Sequence, residues 1–183
     1  MITRKDLLSE IIERELAMFQ SVNNRGGRAD CQDMPESFRL MREITHAVLS
    51  VAFLESYGQD LRRAERDGRN FMTEKYAIME GQIAPINPDP RIPEIADQET
   101  DWREAVAAEF PHAVEPGGSE AFRRYLRAEL QTYSPGTIGA YAECVDAARR
   151  EGRNLARERY DLLMSKLGFG SLAEREASVE RGG

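Results

Sequence analysis

The chain matches itself at a single shift. Moved by 84 residues without a gap, Tyr57 falls on Tyr141, Ala64 on Ala148, Gly68-Arg69-Asn70 on Gly152-Arg153-Asn154, Glu74 on Glu158 and Tyr76 on Tyr160, with Phe38 on Phe122 in the same register. The helix ending at Phe19 also resembles the one ending at Phe110 once the extra length of the loop after Phe19 is allowed for. Self-similarity at one large shift is the mark of a duplicated unit, whose halves pack about a pseudo-two-fold axis with like surfaces together.

Hydrophobic spacing says what the unit is made of. Leu7, Leu8, Ile11, Ile12, Leu16 and Phe19 recur at steps of three and four, the period of an amphipathic helix. A second helix opens at Pro35, with Asp33 as its N-cap, and runs through Phe38, Leu40, Met41, Ile44 and Val48. Tyr57 to Met79, Trp102 to Phe110, Ser119 to Leu130 and Ile138 to Leu162 repeat the pattern, and no segment alternates with period two. The expectation is an all-α, helical bundle-like single domain over residues 1–170, built from pseudo-repeated halves 1–83 and 100–168. A proline-rich connector, 84–99, joins them, because Pro85, Pro88, Pro90 and Pro93 leave 84–94 no room for a helix. Residues 171–183, charged and ending in glycine, are expected as a flexible tail.

On a helical wheel, Tyr57, Leu61, Ala64, Gly68, Phe71, Lys75 and Ile78 share one stripe, as do their equivalents from Tyr141 to Leu162. The stripe keeps phase across Gly68 and Gly152, which favours a continuous helix with a close approach at glycine. The alternative is a break there, each glycine a C-cap and Asn70 and Asn154 starting new helices. Lys75 and its counterpart Arg159 interrupt the apolar seam. They are either structural ion pairs repeated in both halves or an anion-binding pair.

Composition narrows the partners. Lys and Arg number 25 against 32 Asp and Glu, a net charge of −7, which opposes nucleic acid as the main partner. No apolar run approaches the roughly 18 residues of a membrane span. With no basic, then apolar, cleavable start, a cytoplasmic address is expected. Two cysteines, Cys31 and Cys144, make no disulfide framework.

The run Val22-Asn23-Asn24-Arg25-Gly26-Gly27-Arg28-Ala29-Asp30-Cys31-Gln32-Asp33, then Pro35-Glu36-Ser37-Phe38 and Gly68-Arg69-Asn70-Phe71-Met72-Thr73-Glu74-Lys75-Tyr76, resembles a bacterial family of uncharacterised proteins, the domain of unknown function 4125. The resemblance is strong from Glu13 to Met79 and reaches the second half only through the repeated Gly-Arg-Asn segment. It implies no activity, substrate or cofactor.

The residues themselves point to a small-molecule site. The 23–33 loop gathers two amides, two arginines, a thiol, Gln32 and Asp33 before a helix start, where backbone N–H groups favour an anion. Cys31, near Arg28 and the helix N-terminus, has the setting of a thiolate nucleophile, with Asp33 or Glu74 handling the proton. Arg28 with Lys75 or Arg69 would neutralise the ligand, Asn23, Asn24 and Gln32 would orient it, and Asn70 and Tyr76 complete the surface. Each of these residues also has a structural reading, as a cap, a loop bond or a buried small side chain. The leading expectation is therefore an anionic small-molecule site that binds or catalyses, and the alternative is a non-catalytic helical protein-interaction module. Glu43 and His46 have the Glu-x-x-His spacing of di-iron bundles, but the shift places Arg127 and Leu130 opposite them, and His112 has no such partner. No metal site is expected. Neither a Gly-x-Ser-x-Gly elbow nor a phosphate-binding Gly-Lys-Ser/Thr loop occurs.

Overall fold

In the computed structural model, residues 3–23 and 33–182 are described. Among the described residues there are nine α-helices and no strand, arranged as one domain: α1 Arg4–Gln20, α2 Pro35–His46, α3 Val51–Arg66, α4 Phe71–Met79, α5 Arg91–Glu109, α6 Ser119–Leu130, α7 Pro135–Arg150, α8 Leu155–Lys166 and α9 Leu172–Gly182. The offset of 84 recurs in their bounds. α2 and α6 differ by 84 at both ends, as do α3 and α7, and α4 and α8 start 84 apart.

Local chemistry sets these boundaries. Thr3 and Asp6 form a reciprocal capping box at the start of α1. Ser50 and Ser134 each accept the N–H three residues on, opening α3 and α7. α2 starts at Pro35, and its N-cap is Met34 with no side-chain cap, so the capping role expected of Asp33 is not found.

The continuous helix through Gly68 and Gly152 is overturned. Both glycines have φ near +68°, at 68° and 67°, in the left-handed region that glycine enters without a Cβ clash. Arg69 N donates to Ala64 O and Arg153 N to Ala148 O, each at 2.8 Å, which closes α3 and α7 with a Schellman turn. Asn70 then caps α4 by accepting from Met72 N and Thr73 N, and Asn154 caps α8. The apolar stripe keeps phase because Leu61 and Ala64 before the turn and Phe71, Met72 and Lys75 after it are all buried. A chain that folds back over the same interior preserves the pattern without preserving the helix.

Two further expectations change. The connector is shorter than 84–99, since α5 begins at Arg91. Pro93 lies in the first turn, where no N–H has an intrahelical partner to lose. Asp89 accepts from Arg91 N at 2.9 Å to start the helix. In place of a flexible tail, α9 occupies Leu172–Gly182, and Leu172 is fully buried.

α3 and α7 pack on each other at the centre, α1 lies over α3, and α5 over α7 and α8. α4 packs on α6 while α2 packs on α8. Phe53, Leu54, Tyr57, Leu61, Leu130 and Ile138 fill the main core, each large apolar side chain contributing roughly 1.5–3 kcal/mol on burial. Val106, Phe110, Val114, Met164 and Leu172 form a second cluster that holds α9.

Candidate functional site

The core contains a chain of charges. Glu15, on the buried face of α1, receives Arg42 of α2 in two hydrogen bonds of 2.8 and 2.5 Å, and Tyr57 OH donates to it at 2.7 Å. His46 Nε2 lies 3.1 Å from the same carboxylate. Arg42 also reaches Glu129 of α6 at 2.9 Å, and Glu129 in turn accepts from Lys75 Nζ at 3.1 Å and from Tyr133 OH at 3.0 Å. Lys75 finishes on Tyr125 OH at 2.5 Å. Glu15, Arg42, Glu129 and Lys75 alternate in sign and sum to zero, the condition under which buried charge is tolerated.

Titration follows from this geometry. Burial pushes the Glu15 carboxyl up, and Arg42 and His46 beside it outweigh that, holding it at about 2. Burial opposes ionisation of Glu129 as well, and Arg42 with Lys75 keeps it well below the usual carboxylate range. Burial pulls Lys75 down, but Glu129 and Tyr125 more than restore it, so its ammonium stays charged. Burial and the Glu15 charge push the Tyr57 phenol well up, leaving it a protonated donor.

A second cluster sits 84 residues on. Tyr141 OH donates to Glu99 at 2.8 Å, as Tyr57 does to Glu15, and Asn154 Nδ2 donates to Trp102 O as Asn70 Nδ2 does to Met18 O. Glu15 and Glu99 are thus in register at 84, and the pairing of Phe19 with Phe110 suggested by the sequence is replaced by this one. Arg159 grips Glu99 at 2.6 and 3.0 Å and donates Nε–H to Thr45 O at 3.2 Å. Unlike Lys75, it borders open space. A cleft of about 230 Å³ is walled by Met41, Ile44, Phe122, Tyr160 and Leu163, with Arg159 and Arg103 supplying its charge. Arg103 donates to Gly117 O at 2.8 Å, lies over the Phe122 ring at 5.6 Å, and makes no carboxylate ion pair among the described residues.

The residues expected at a site are only partly brought together. Asn24, Arg28, Cys31 and Gln32 lie outside the described residues. Asn23 and Asp33, both exposed, stand on either side of that segment, and stacking of Phe19 on Phe38 at 4.7 Å joins the helices it connects. Arg69 and Glu74 bond each other in two parallel contacts of 2.8 and 2.9 Å, and Arg69 lies over the Phe71 ring. Asn70 Nδ2 bonds Met18 O and Ser21 Oγ, so this turn is tied to the end of α1. Lys75 points inward, away from that pair, with the half-buried Tyr76 ring 5.2 Å from its Nζ. Glu43 pairs with Lys166 at 2.8 Å while His46 turns to Glu15, so the two do not share a face toward one ion. His112 does have an acidic partner: its Nδ1 lies 2.6 Å from Glu176, whose carboxylate also accepts the His112 and Ala113 N–H groups.

Glu15, Arg42, Glu99, Tyr125 and Glu129 escaped the sequence reading. Glu15 and Glu99 carried a signal, two acids at the shift of 84, Glu15 among Ile11, Ile12, Met18 and Phe19 and Glu99 among Ile95, Ala96 and Trp102. Arg42 and Glu129 carried none, because their equivalents are Leu126 and Thr45.

No curated protein and no solved structure matches this chain. One family model does, and its match continues well past Met79 through the second half of the chain. The chain belongs to the family described as "Protein of unknown function (DUF4125)", whose model matches residues 5–177.

Proposed function

We propose that this protein binds a small organic anion in the cleft beside Arg159, as a binding protein and not a catalyst. The supporting observation is the state of the two arginines there. Arg159 uses four of its five N–H groups on Glu99, Tyr141 and Thr45, leaving one Nη1 hydrogen unbonded among the described residues at a side chain only 15% exposed. Arg103 adds a positive charge with no carboxylate partner among the described residues, and the remaining walls are mostly apolar, the usual make-up of a small-ligand site. The two arginines hold the acid group of the ligand while Phe122, Met41 and Leu163 cover its apolar part.

The test is a thermal-shift and calorimetric screen of small organic acids on the wild type and on Arg103→Ala. A ligand that stabilises the native state raises the midpoint with concentration, and Arg103→Ala is expected to weaken it about tenfold or more. Equal affinity in both proteins would count against this cleft.

A second reading keeps an anion site at the 23–33 loop, with Cys31, Asp33, Arg28, Arg69, Asn70 and Glu74 as its residues. It is favoured by one contact, the Asn70 side chain bonded to Ser21 at the foot of that loop. Loss of ligand affinity in Arg28→Ala or Cys31→Ser, with Arg103→Ala unaffected, would select it.

A further inference from the structure

The space beside Arg159 has a filled counterpart elsewhere in the same chain. At the offset of 84, Lys75 answers Arg159, Tyr76 answers Tyr160, Phe38 answers Phe122 and Met79 answers Leu163. Two positions differ in bulk and charge: Tyr125 answers Met41, and Glu129 answers Thr45. Beside Lys75 the chain supplies its own occupants. The Tyr125 ring centroid is 4.2 Å from Nζ, its OH is at 2.5 Å, and the Glu129 carboxylate is at 3.1 Å. Beside Arg159 the two equivalent positions supply neither ring nor carboxylate, and its own partners are Glu99 and Tyr141. Thr45 offers its backbone carbonyl at 3.2 Å from Nε, its hydroxyl is turned to Met41 O at 2.7 Å, and Met41 is 51% exposed. The cleft of about 230 Å³ occupies that place.

We propose that the ligand of the cleft is a monocyclic aromatic carboxylate, its ring standing where Tyr125 stands beside Lys75 and its carboxylate where Glu129 stands. This rests on the reading of the cleft as a binding site. The ring gives Arg159 the cation–π face that Lys75 finds in Tyr125, and stacks among Phe122 and Tyr160. The carboxylate takes the free N–H of Arg159 and the charge of Arg103, so that the ligand brings one negative charge to a site with one positive charge in excess. Size supports a single ring, because about 230 Å³ lies below the usual range for drug-sized ligands.

Three probes decide it: 4-hydroxyphenylacetate, benzoate and hexanoate, titrated while the methyl resonance of Met41 is followed by NMR. The two aromatic acids are expected to shift that methyl and to bind about tenfold more tightly than hexanoate, which lacks the ring for Arg159. The double variant Met41→Tyr, Thr45→Glu writes the residues of the filled side into the cleft. Titrated by calorimetry, because the reporter methyl is gone, it is expected to lose aromatic-acid binding at least tenfold with no fall in thermal midpoint. If that pair does not fold, Met41→Phe, which adds a ring and no charge, is expected to block binding in the same way. Hexanoate binding as tightly as the aromatic acids, with the Met41 methyl shifted, would overturn the aromatic assignment and leave the cleft as an anion site. No shift of that methyl by any of the three would overturn both, and so would undiminished binding to the blocked variants.

Discussion

Lys75 and Arg159 hold the same place in register, 84 residues apart, yet pair with carboxylates that are not equivalent: Lys75 with Glu129 of α6, Arg159 with Glu99 of α5. The cause is one position on α2. Arg42 satisfies Glu15, so Lys75 is left to Glu129, whereas the residue 84 after Arg42 is Leu126 and Glu99 takes Arg159 instead. Two alternating pairs result on one side of the molecule and one on the other. The thinner side is the one with the cleft.

Glu129 is the link between Arg42 and Lys75, and Glu129→Gln would leave Arg42 with Glu15 alone and strip the buried Lys75 of its carboxylate. Breaking a buried pair from one side costs about 3–5 kcal/mol. The expected result is a lower urea midpoint with an unchanged m value. A loss under about 1 kcal/mol, the size of an exposed pair, would show that water reaches the chain of charges.

Acid should unfold the protein partly through Glu15. Its carboxyl is held at about 2 against an ordinary value of 4.5, so the native state binds this proton less readily than the unfolded chain. The stabilisation is therefore complete above about pH 4.5 and lost as pH falls toward 2, about 3 kcal/mol in all. Unfolding free energy measured across that window should fall more steeply in the wild type than in Glu15→Gln. Parallel curves would refute the assignment.

Gly68→Ala and Gly152→Ala test the breaks directly. An added Cβ meets nothing within 4 Å at either site, so the whole cost is backbone strain at positive φ, about 1–2 kcal/mol each. Asparagine, which tolerates that conformation, should cost less than alanine at both sites. A stabilised alanine variant would argue instead for a helix running through the glycine.

Glu176 clasps α9 to the turn at His112 and Ala113. Glu176→Ala leaves those two N–H groups without an acceptor, and their amide exchange should speed up while exchange in α3 is unchanged. Protease cleavage between α8 and α9 should become faster in step. Unaltered protection at His112 and Ala113 would mean that Leu172 alone holds the helix.

Much of the helix pattern was legible because it is written locally. Steps of three and four marked α1, α2, α6 and α7, and Pro35 marked the start of α2, since a proline at the first helical position acts within a few residues. The Gly68 break was legible only as an alternative, because an apolar stripe records which residues face the interior and not whether the backbone between them turns. Pro93 misled for a related reason: a proline ends a helix from within but costs nothing in its first turn.

The amino-acid sequence by itself determined the all-α class and the self-match at a shift of 84 that sets Lys75 opposite Arg159, because periodicity and self-similarity are properties of order along the chain. Only the tertiary structure decided which carboxylate each cation meets. Glu129 is 54 residues from Lys75 and 87 from Arg42, and it serves both because α6 packs on α4 while α2 crosses nearby. Coulomb and hydrogen-bond energies depend on separations of a few ångströms in space, and residues that far apart in sequence acquire such separations only when helices dock. The cleft beside Arg159 has the same origin, visible once Met41 and Thr45 are seen where Tyr125 and Glu129 close the other side.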